Sequence, residues 1–139
     1  MDIIALRGTP NQGKSETLNV VYHLMLLFGY TQVPGHYRVL GNPVQKDFTD
    51  ILEKKGKKIG IVTMGDFDKG TDTVANLLNY LDIQGCDKAI CACNSNIPGT
   101  VSAVTTYLNH KIIDKTRTPI AGLQRIRNGE DAEIIYSLI

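Results

Sequence analysis

The sequence predicts one α/β domain in which helices cover both faces of a parallel sheet. Short apolar runs of strand length alternate along the chain with segments whose apolar residues recur at helical spacing. One of these runs, Ile59–Met64, is continuously apolar apart from Gly60 and Thr63, as in parallel strands covered on both sides. A length of 139 residues suits a single domain with a substantial core.

In the first half of the chain, residues 2–7 are predicted to form a strand. Lys14–Phe28 is predicted to form a helix, apolar nearly all round and closed by Gly29. A short second strand is expected at His36–Leu40, followed by a helix over residues 44–55. That helix would place on one face Val44, Phe48, Ile51 and Leu52.

The second half is predicted to alternate in the same way. Its strands are Ile59–Met64, Lys88–Cys93 and Thr118–Leu123. Its helices are expected after a cap at Thr71 or Asp72, from Thr100 to His110, and from Glu130 to Leu138. Five strands separated by helices therefore predict a five-stranded parallel sheet, with ligands bound beyond the carboxyl ends of its strands.

Composition excludes several classes of function. The formal net charge of +1 gives no field for nucleic acid or an acidic membrane, and 42% hydrophobic residues are ordinary for a globular protein. The longest apolar run, Val20–Phe28, is too short to span a bilayer. Because the first strand begins at Ile3, we expect no signal peptide ahead of it. We therefore expect a cytoplasmic protein whose three cysteines are reduced and buried.

The most informative stretch lies between the first strand and the first helix. Its eight residues are Gly8, Thr9, Pro10, Asn11, Gln12, Gly13, Lys14 and Ser15. Two glycines allow sharp turning, so that backbone N–H groups can face phosphate oxygens, and the start of the helix adds unpaired donors. Lys14 would reach the terminal phosphates, the Ser15 hydroxyl would bind Mg²⁺, and Glu16 would border the ligand. An ordinary turn between a strand and a helix is the competing interpretation.

This stretch resembles the Walker A motif, G-x-x-x-x-G-K-[ST], of the P-loop NTPases. The resemblance implies a three-layer fold with strand order 2-3-1-4-5, like the nucleotide kinases and GTPases, and a site for a nucleoside triphosphate with Mg²⁺. Thr63–Asp66 and Cys86–Cys93 are more loosely similar to segments of small uncharacterised bacterial and phage P-loop proteins.

A second resemblance concerns the end of the Ile59–Met64 strand. An apolar strand that ends in an acidic residue resembles Walker B, whose aspartate holds the Mg²⁺ shell. Asp66 is the preferred metal partner with Ser15, and Asp68 is the alternative. Lys14, Asp66 and Asp68 are thus the candidate catalytic residues, although both aspartates could simply belong to a polar turn.

Fewer residues indicate how catalysis is completed or how the base is chosen. Asp68, Glu16 and Lys69 could orient water on position alone, and no arginine lies between Cys93 and Ile112 to form a kinase-like lid. The guanine motif Asn-Lys-x-Asp is missing from the sequence, so adenine is the default base. The resemblance to kinases suggests that Arg125 or Arg127 stacks on it, against the alternative of a charged surface turn.

Three functions remain open at this point. The first is slow, Mg²⁺-dependent hydrolysis of ATP, with a protein partner supplying the missing charge. The second is a small-molecule or nucleotide kinase, and the third is a non-enzymatic nucleotide switch. The sequence does not select the acceptor, the partner or the oligomeric state.

Overall fold

The computed structural model describes residues 1–41, 44 and 46–139. Its strands are β1 (Asp2–Gly8), β2 (Thr31–Gln32), β3 (Arg38–Leu40), β4 (Asp47–Lys54), β5 (Lys57–Val62), β6 (Lys88–Asn94) and β7 (His110–Asp114). Its helices are α1 (Lys14–Leu27), α2 (Val74–Ile83), α3 (Pro98–Thr105) and α4 (Gln124–Ser137), with a 3₁₀ turn at Ala121–Leu123 before α4.

Within the described residues the strands form one seven-stranded mixed sheet in the order β2-β4-β5-β6-β1-β7, with β3 also paired to β4. Neighbours among β5, β6, β1 and β7 are parallel, whereas β4 is antiparallel to β5, β2 and β3. The α/β class agrees with expectation. The prediction of a five-stranded, all-parallel sheet in the order 2-3-1-4-5 is wrong.

The antiparallel edge of the sheet arises from a tight hairpin that the sequence interpretation missed. A helix is predicted over residues 44–55, but β4 occupies most of this segment. Residue 45 of the predicted helix lies outside the described residues. Lys55 and Gly56 both have positive φ, 52° and 79°, and they join β4 to β5 as a two-residue turn. Such turns need left-handed residues at both positions, and they fix an antiparallel pair. Phe48 and Leu52 consequently face one side of the sheet and Ile51 the other.

The other edge of the sheet also differs from expectation. The predicted strand Thr118–Leu123 is not a strand, since this segment holds the 3₁₀ turn. The edge strand is β7, whose first residue, His110, pairs with Ile3 of β1. Helix α3 ends at Thr105 instead of reaching His110, and α4 begins six residues before the predicted Glu130.

Two apolar cores lie on opposite faces of the sheet. One contains Leu77 and Leu81 of α2 and Val104 of α3. The other contains Val21 of α1 and Ile135 of α4. The three-layer arrangement therefore agrees with the prediction that helices cover both faces.

The topology brings one end of every long strand to the same end of the sheet, at right angles to the outer strands discussed above. The parallel strands β1, β5, β6 and β7 all end there, and Gly8 lies opposite Asn94 in the sheet register. Because β4 runs the opposite way, its first residue, Asp47, reaches this edge too. We call this end of the sheet the carboxyl edge, because the parallel strands finish there.

Candidate functional site

The turn from Gly8 to Ser15, called the 8–15 loop, connects β1 to α1 at the carboxyl edge. Asn11 and Gly13 have left-handed backbone conformations, with φ of 64° and 84°. Within the described part of the chain, none of the backbone amides from Asn11 to Glu16 donates a hydrogen bond. Consecutive unpaired N–H groups at the positive end of a helix are the usual setting for an anion.

The loop is held in shape by its own side chains. The amide of Thr9 donates to Oε1 of Gln12 at 2.8 Å. The buried Lys14 ammonium donates to the carbonyl of Thr9 at 2.9 Å. Lys14 therefore spans the loop from its exit to its entrance.

The environment of Lys14 favours a ligand with negative charge. Its Nζ lies 3.8 Å from Oδ1 of Asp66. Burial lowers the pKa of the Lys14 ammonium, and the nearby Asp66 carboxylate only partly opposes this effect. An anion brought against this ammonium would compensate for its lost hydration.

A second group of side chains links α1 to β4 through Thr63, the residue after β5. Oγ of Ser15 donates to the carbonyl of Thr63 at 3.4 Å. Oγ1 of Thr63 donates to Oδ1 of Asp47 at 2.8 Å, and Asp47 is 4% exposed. The structure thus places a buried carboxylate near Ser15 that the sequence interpretation missed, because it assigned Asp47 to a helix.

The two candidate acids after β5 lie in different surroundings. Asp66 lines the cleft beside the 8–15 loop and accepts a hydrogen bond from Nδ2 of Asn94 at 2.9 Å. Asp68 instead packs on the start of α3, where a Cβ added to Gly99 would lie 2.6 Å from its Oδ2. Lys14, Ser15 and Asp66 therefore come together, whereas Asp68 is directed elsewhere.

These residues border one cleft of about 860 Å³. Besides the loop, Thr63 and the two acids Asp47 and Asp66, it extends along α1 past Asn19 to His23. Among the residues that the structure describes, no three histidine, cysteine or acidic side chains are grouped as a metal site. Oxygen atoms of Ser15, Glu16, Asp47 and Asp66 line this cleft, and oxygen is the ligand atom that a hard cation prefers.

A second cavity, of about 380 Å³, lies on the other side of the 8–15 loop. It is bounded by Asn11 and Gln12 of the loop, by residues 116–119 after β7, and by Gln124 of α4. Asn11 lines both this cavity and the cleft.

The predicted base-stacking arginines do not border this cavity. Arg125 and Arg127 belong to the first turns of α4, not to a loop, and Arg127 pairs with Glu130 at 3.0 Å. Arg117 borders the cavity instead. The expectation for Arg125 and Arg127 depended on a strand at 118–123, and that strand is not formed.

The wall of the second cavity is fixed by a buried ion pair between Lys115, the residue after β7, and Asp131 of α4. Nζ of Lys115 lies 2.8 Å from Oδ2 of Asp131, and both side chains are almost fully buried. Asp131 also accepts hydrogen bonds from the amide and the hydroxyl of Thr116, at 2.9 and 2.7 Å. Burial raises the pKa of the Asp131 carboxyl, but the bonds from Lys115 and Thr116 outweigh burial and leave the pKa lowered.

No helix within the described ranges has both the length and the apolar character needed to cross a membrane. Comparison with known proteins found no matching family model, no similar curated protein and no similar solved structure. The interpretation of the site therefore depends on its own geometry.

Proposed function

We propose that this chain binds a nucleoside triphosphate with Mg²⁺ through the 8–15 loop and hydrolyses it slowly, as a cytoplasmic P-loop NTPase. The observation that carries the proposal is the run of amides from Asn11 to Glu16 that have no partner among the described residues, next to the buried ammonium of Lys14. Backbone donors of this kind bind phosphate oxygens, and a lysine at the loop's exit adds charge. The three free, buried cysteines suit a reducing compartment.

The triphosphate would occupy the cleft beside the loop. Lys14 would exchange its bond to the carbonyl of Thr9 for the terminal phosphates, and Ser15 would exchange the carbonyl of Thr63 for the metal. Asp66 would complete the metal shell, with the buried Asp47 as a second carboxylate that acts through water. The nucleoside would extend into the second cavity, where adenine remains the expected base and Arg117 replaces Arg125 and Arg127 as the stacking candidate.

Slow turnover follows from the charges around the cleft. Among the described residues that line it, Lys14 and Lys46 are the cations. Rapid phosphoryl transfer needs more positive charge beside the leaving oxygens, which a protein partner could supply.

A kinase is the second candidate, and the extent of the cleft favours it. The cleft continues beyond the loop to Asn19 and His23, where an acceptor would lie next to the terminal phosphate. Incubation of ³²P-labelled ATP with a panel of acceptors separates the two activities. Label found only in free phosphate excludes transfer to that panel, and binding without either reaction favours a switch.

Titration calorimetry with Mg-ATP tests the phosphate site directly. Lys14→Ala should weaken binding about 10- to 100-fold, because it removes a charge-assisted hydrogen bond to phosphate. Lys57→Ala is the matched control, since Lys57 is exposed at the opposite end of β5. Equal affinities for the Lys14→Ala variant and the parent would show that the phosphates bind elsewhere.

A further inference from the structure

Helix α4 contacts the candidate site through three polar side chains on one face. Gln124, Asn128 and Asp131 are spaced i, i+4 and i+7, which places them on the same side of a helix. Nε2 of Gln124 donates to the carbonyl of Asn11 at 3.5 Å, and Asp131 holds the loop after β7. Between them, Nδ2 of Asn128 donates to Oε2 of Glu16 at 3.0 Å.

Asn128 also packs directly against the turn of the 8–15 loop. It is 3% exposed, and a Cβ added to Gly13 would lie 2.5 Å from its Oδ1 and 2.9 Å from its Nδ2. The Asn128 side chain thus occupies the space that Gly13 leaves free and bonds to the residue three positions later. It therefore contacts the chain on both sides of the point where α1 begins, at Gly13 before it and at Glu16 after it.

The amide of Asn128 is oriented at a cost. Its Oδ1 is buried and has no hydrogen-bond partner among the described residues. Turning the side-chain amide over would set Oδ1 against the Glu16 carboxylate, and the oxygens would repel each other. The hydrogen bond to Glu16 therefore keeps the amide in the orientation that leaves Oδ1 unpaired. A buried acceptor without a partner opposes folding, and this cost distinguishes Asn128 from the other polar side chains on this face of α4.

We propose that Asn128 is the positioning residue of the 8–15 loop. It keeps the turn at Gly13 in its phosphate-binding shape, and it holds the Glu16 carboxylate, which borders the cleft, away from an incoming anion. This inference rests on the proposed function, because it assigns Asn128 to the phosphate end of that same site. Without Asn128, the loop would relax into the vacated space and Glu16 would be free to turn into the cleft.

Stability and binding should respond differently to Asn128→Ala. The variant loses one hydrogen bond but also removes the unpaired oxygen, so its melting temperature should stay within a few degrees of the parent's. Its affinity for inorganic tripolyphosphate and for ATP, each with Mg²⁺, should fall about tenfold in calorimetry, because small misplacements of binding groups are costly. Asn79→Ala, at an exposed position on α2, is the matched control.

A double variant, Asn128→Asp with Glu16→Gln, tests the hydrogen bond itself. We call it the reversed pair, because it exchanges the amide and the carboxylate between the two positions. Asn128→Asp should bind tripolyphosphate more weakly than Asn128→Ala, because it sets two carboxylates against each other beside the loop. Adding Glu16→Gln restores one donor and one acceptor with the original net charge, so affinity should recover toward that of the parent. If Asn128→Ala proves unfolded, Asn128→Ser and this pair carry the test.

The outcomes separate the two proposals. If the parent protein itself fails to bind tripolyphosphate and ATP, the proposed function is wrong. If the parent binds them but Asn128→Ala binds equally well, or the reversed pair stays as weak as Asn128→Asp, the positioning role is overturned. An affinity loss matched by an equal loss of folded protein in Asn128→Ser and in the reversed pair would also overturn it.

Discussion

Two segments border the cleft, and they are supported very differently. The 8–15 loop is held by Gln12 and Lys14 from within and by Asn128 of α4 from outside. The segment 66–72 follows Gly65 and is exposed from Asp66 to Thr71. Asn94 donates to Asp66 at its start, and Arg38 pairs with Asp72 at its end. Between them, the Val74 amide donates to the carbonyl of Phe67, and Asp68 packs against Gly99.

The difference separates binding from response. A loop supported on several sides loses little freedom when an anion arrives, so it is already organised for binding. A solvent-exposed segment can change conformation at smaller cost than a packed loop, and its Asp66 faces the position proposed for the terminal phosphate and the metal. Under the proposed function, the 8–15 loop would supply affinity and the 66–72 segment would respond to the ligand.

The largest predicted effect comes from adding one methyl group to each segment. Gly13 and Gly70 both have positive φ, 84° and 97°, but only Gly13 has atoms within 4 Å of an added Cβ. Gly70→Ala should cost about 1–2 kcal/mol of unfolding free energy, from backbone strain alone. Gly13→Ala should cost about 2–5 kcal/mol, because strain and overpacking against Asn128 add together.

Urea unfolding measures both costs, and calorimetry should show that only Gly13→Ala prevents ATP binding. Similar unfolding free energies and similar affinities for the two variants would mean that the loop is no better supported than the exposed segment.

An intermediate effect is expected from the acids of the exposed segment. Asp66→Asn should reduce the dependence of ATP binding or turnover on Mg²⁺ several-fold, because the carboxylate nearest Lys14 would no longer help to hold the cation. Asp68→Asn should leave that dependence unchanged, because Asp68 packs against Gly99 of α3. A magnesium titration at fixed ATP decides between them, and the opposite ranking would move the metal to Asp68.

The smallest effect concerns the ion pair just before the 8–15 loop. Arg7 binds Asp114 at 2.7 and 3.1 Å, and its hydrogen bond holds the pKa of that carboxyl below its usual range. A carboxyl whose pKa is lower in the folded state than in the unfolded state stabilises the fold at pH values above its unfolded-state pKa. This contribution disappears as the pH falls through its folded-state pKa. Because both side chains are largely solvated, Asp114→Asn should cost less than about 1 kcal/mol at pH 7.

Chemical denaturation at pH 7 and near pH 2 checks the sign. The difference between parent and Asp114→Asn should be present at pH 7 and vanish in acid, while ATP affinity at pH 7 is unchanged. A difference that grew in acid would contradict the assignment.

The parts of the fold that were predicted correctly are those encoded locally. β1, α1, β5 and β6 follow from continuous apolar runs and from glycines at their ends, and so does the position of the 8–15 loop. β4 was missed because Phe48, Ile51 and Leu52 also fit a helical face, and the signal against a helix was the Lys55-Gly56 turn. Once that turn is recognised, Asp47 follows as a residue of the carboxyl edge.

Other parts of the site have no local signal. Asn94 reaches Asp66 only because β6 lies between β1 and β5, which the predicted strand order did not contain. Asn128 contacts Gly13 and Glu16, although it lies 112 residues after Glu16 in the sequence. Its neighbours in sequence form an ordinary polar helix. Contacts of this kind depend on the packing of α4 against α1, which periodicity does not specify.

The distance in sequence between the loop and its support has a consequence for biosynthesis. The helix that contacts Gly8 to Ser15 is translated more than a hundred residues after them. At the usual rates of translation this delay is roughly ten seconds, and throughout it the nascent chain has the motif without its brace. Under the proposed function, nucleotide would bind the growing polypeptide weakly, and tight binding would mark a chain in which α4 has docked.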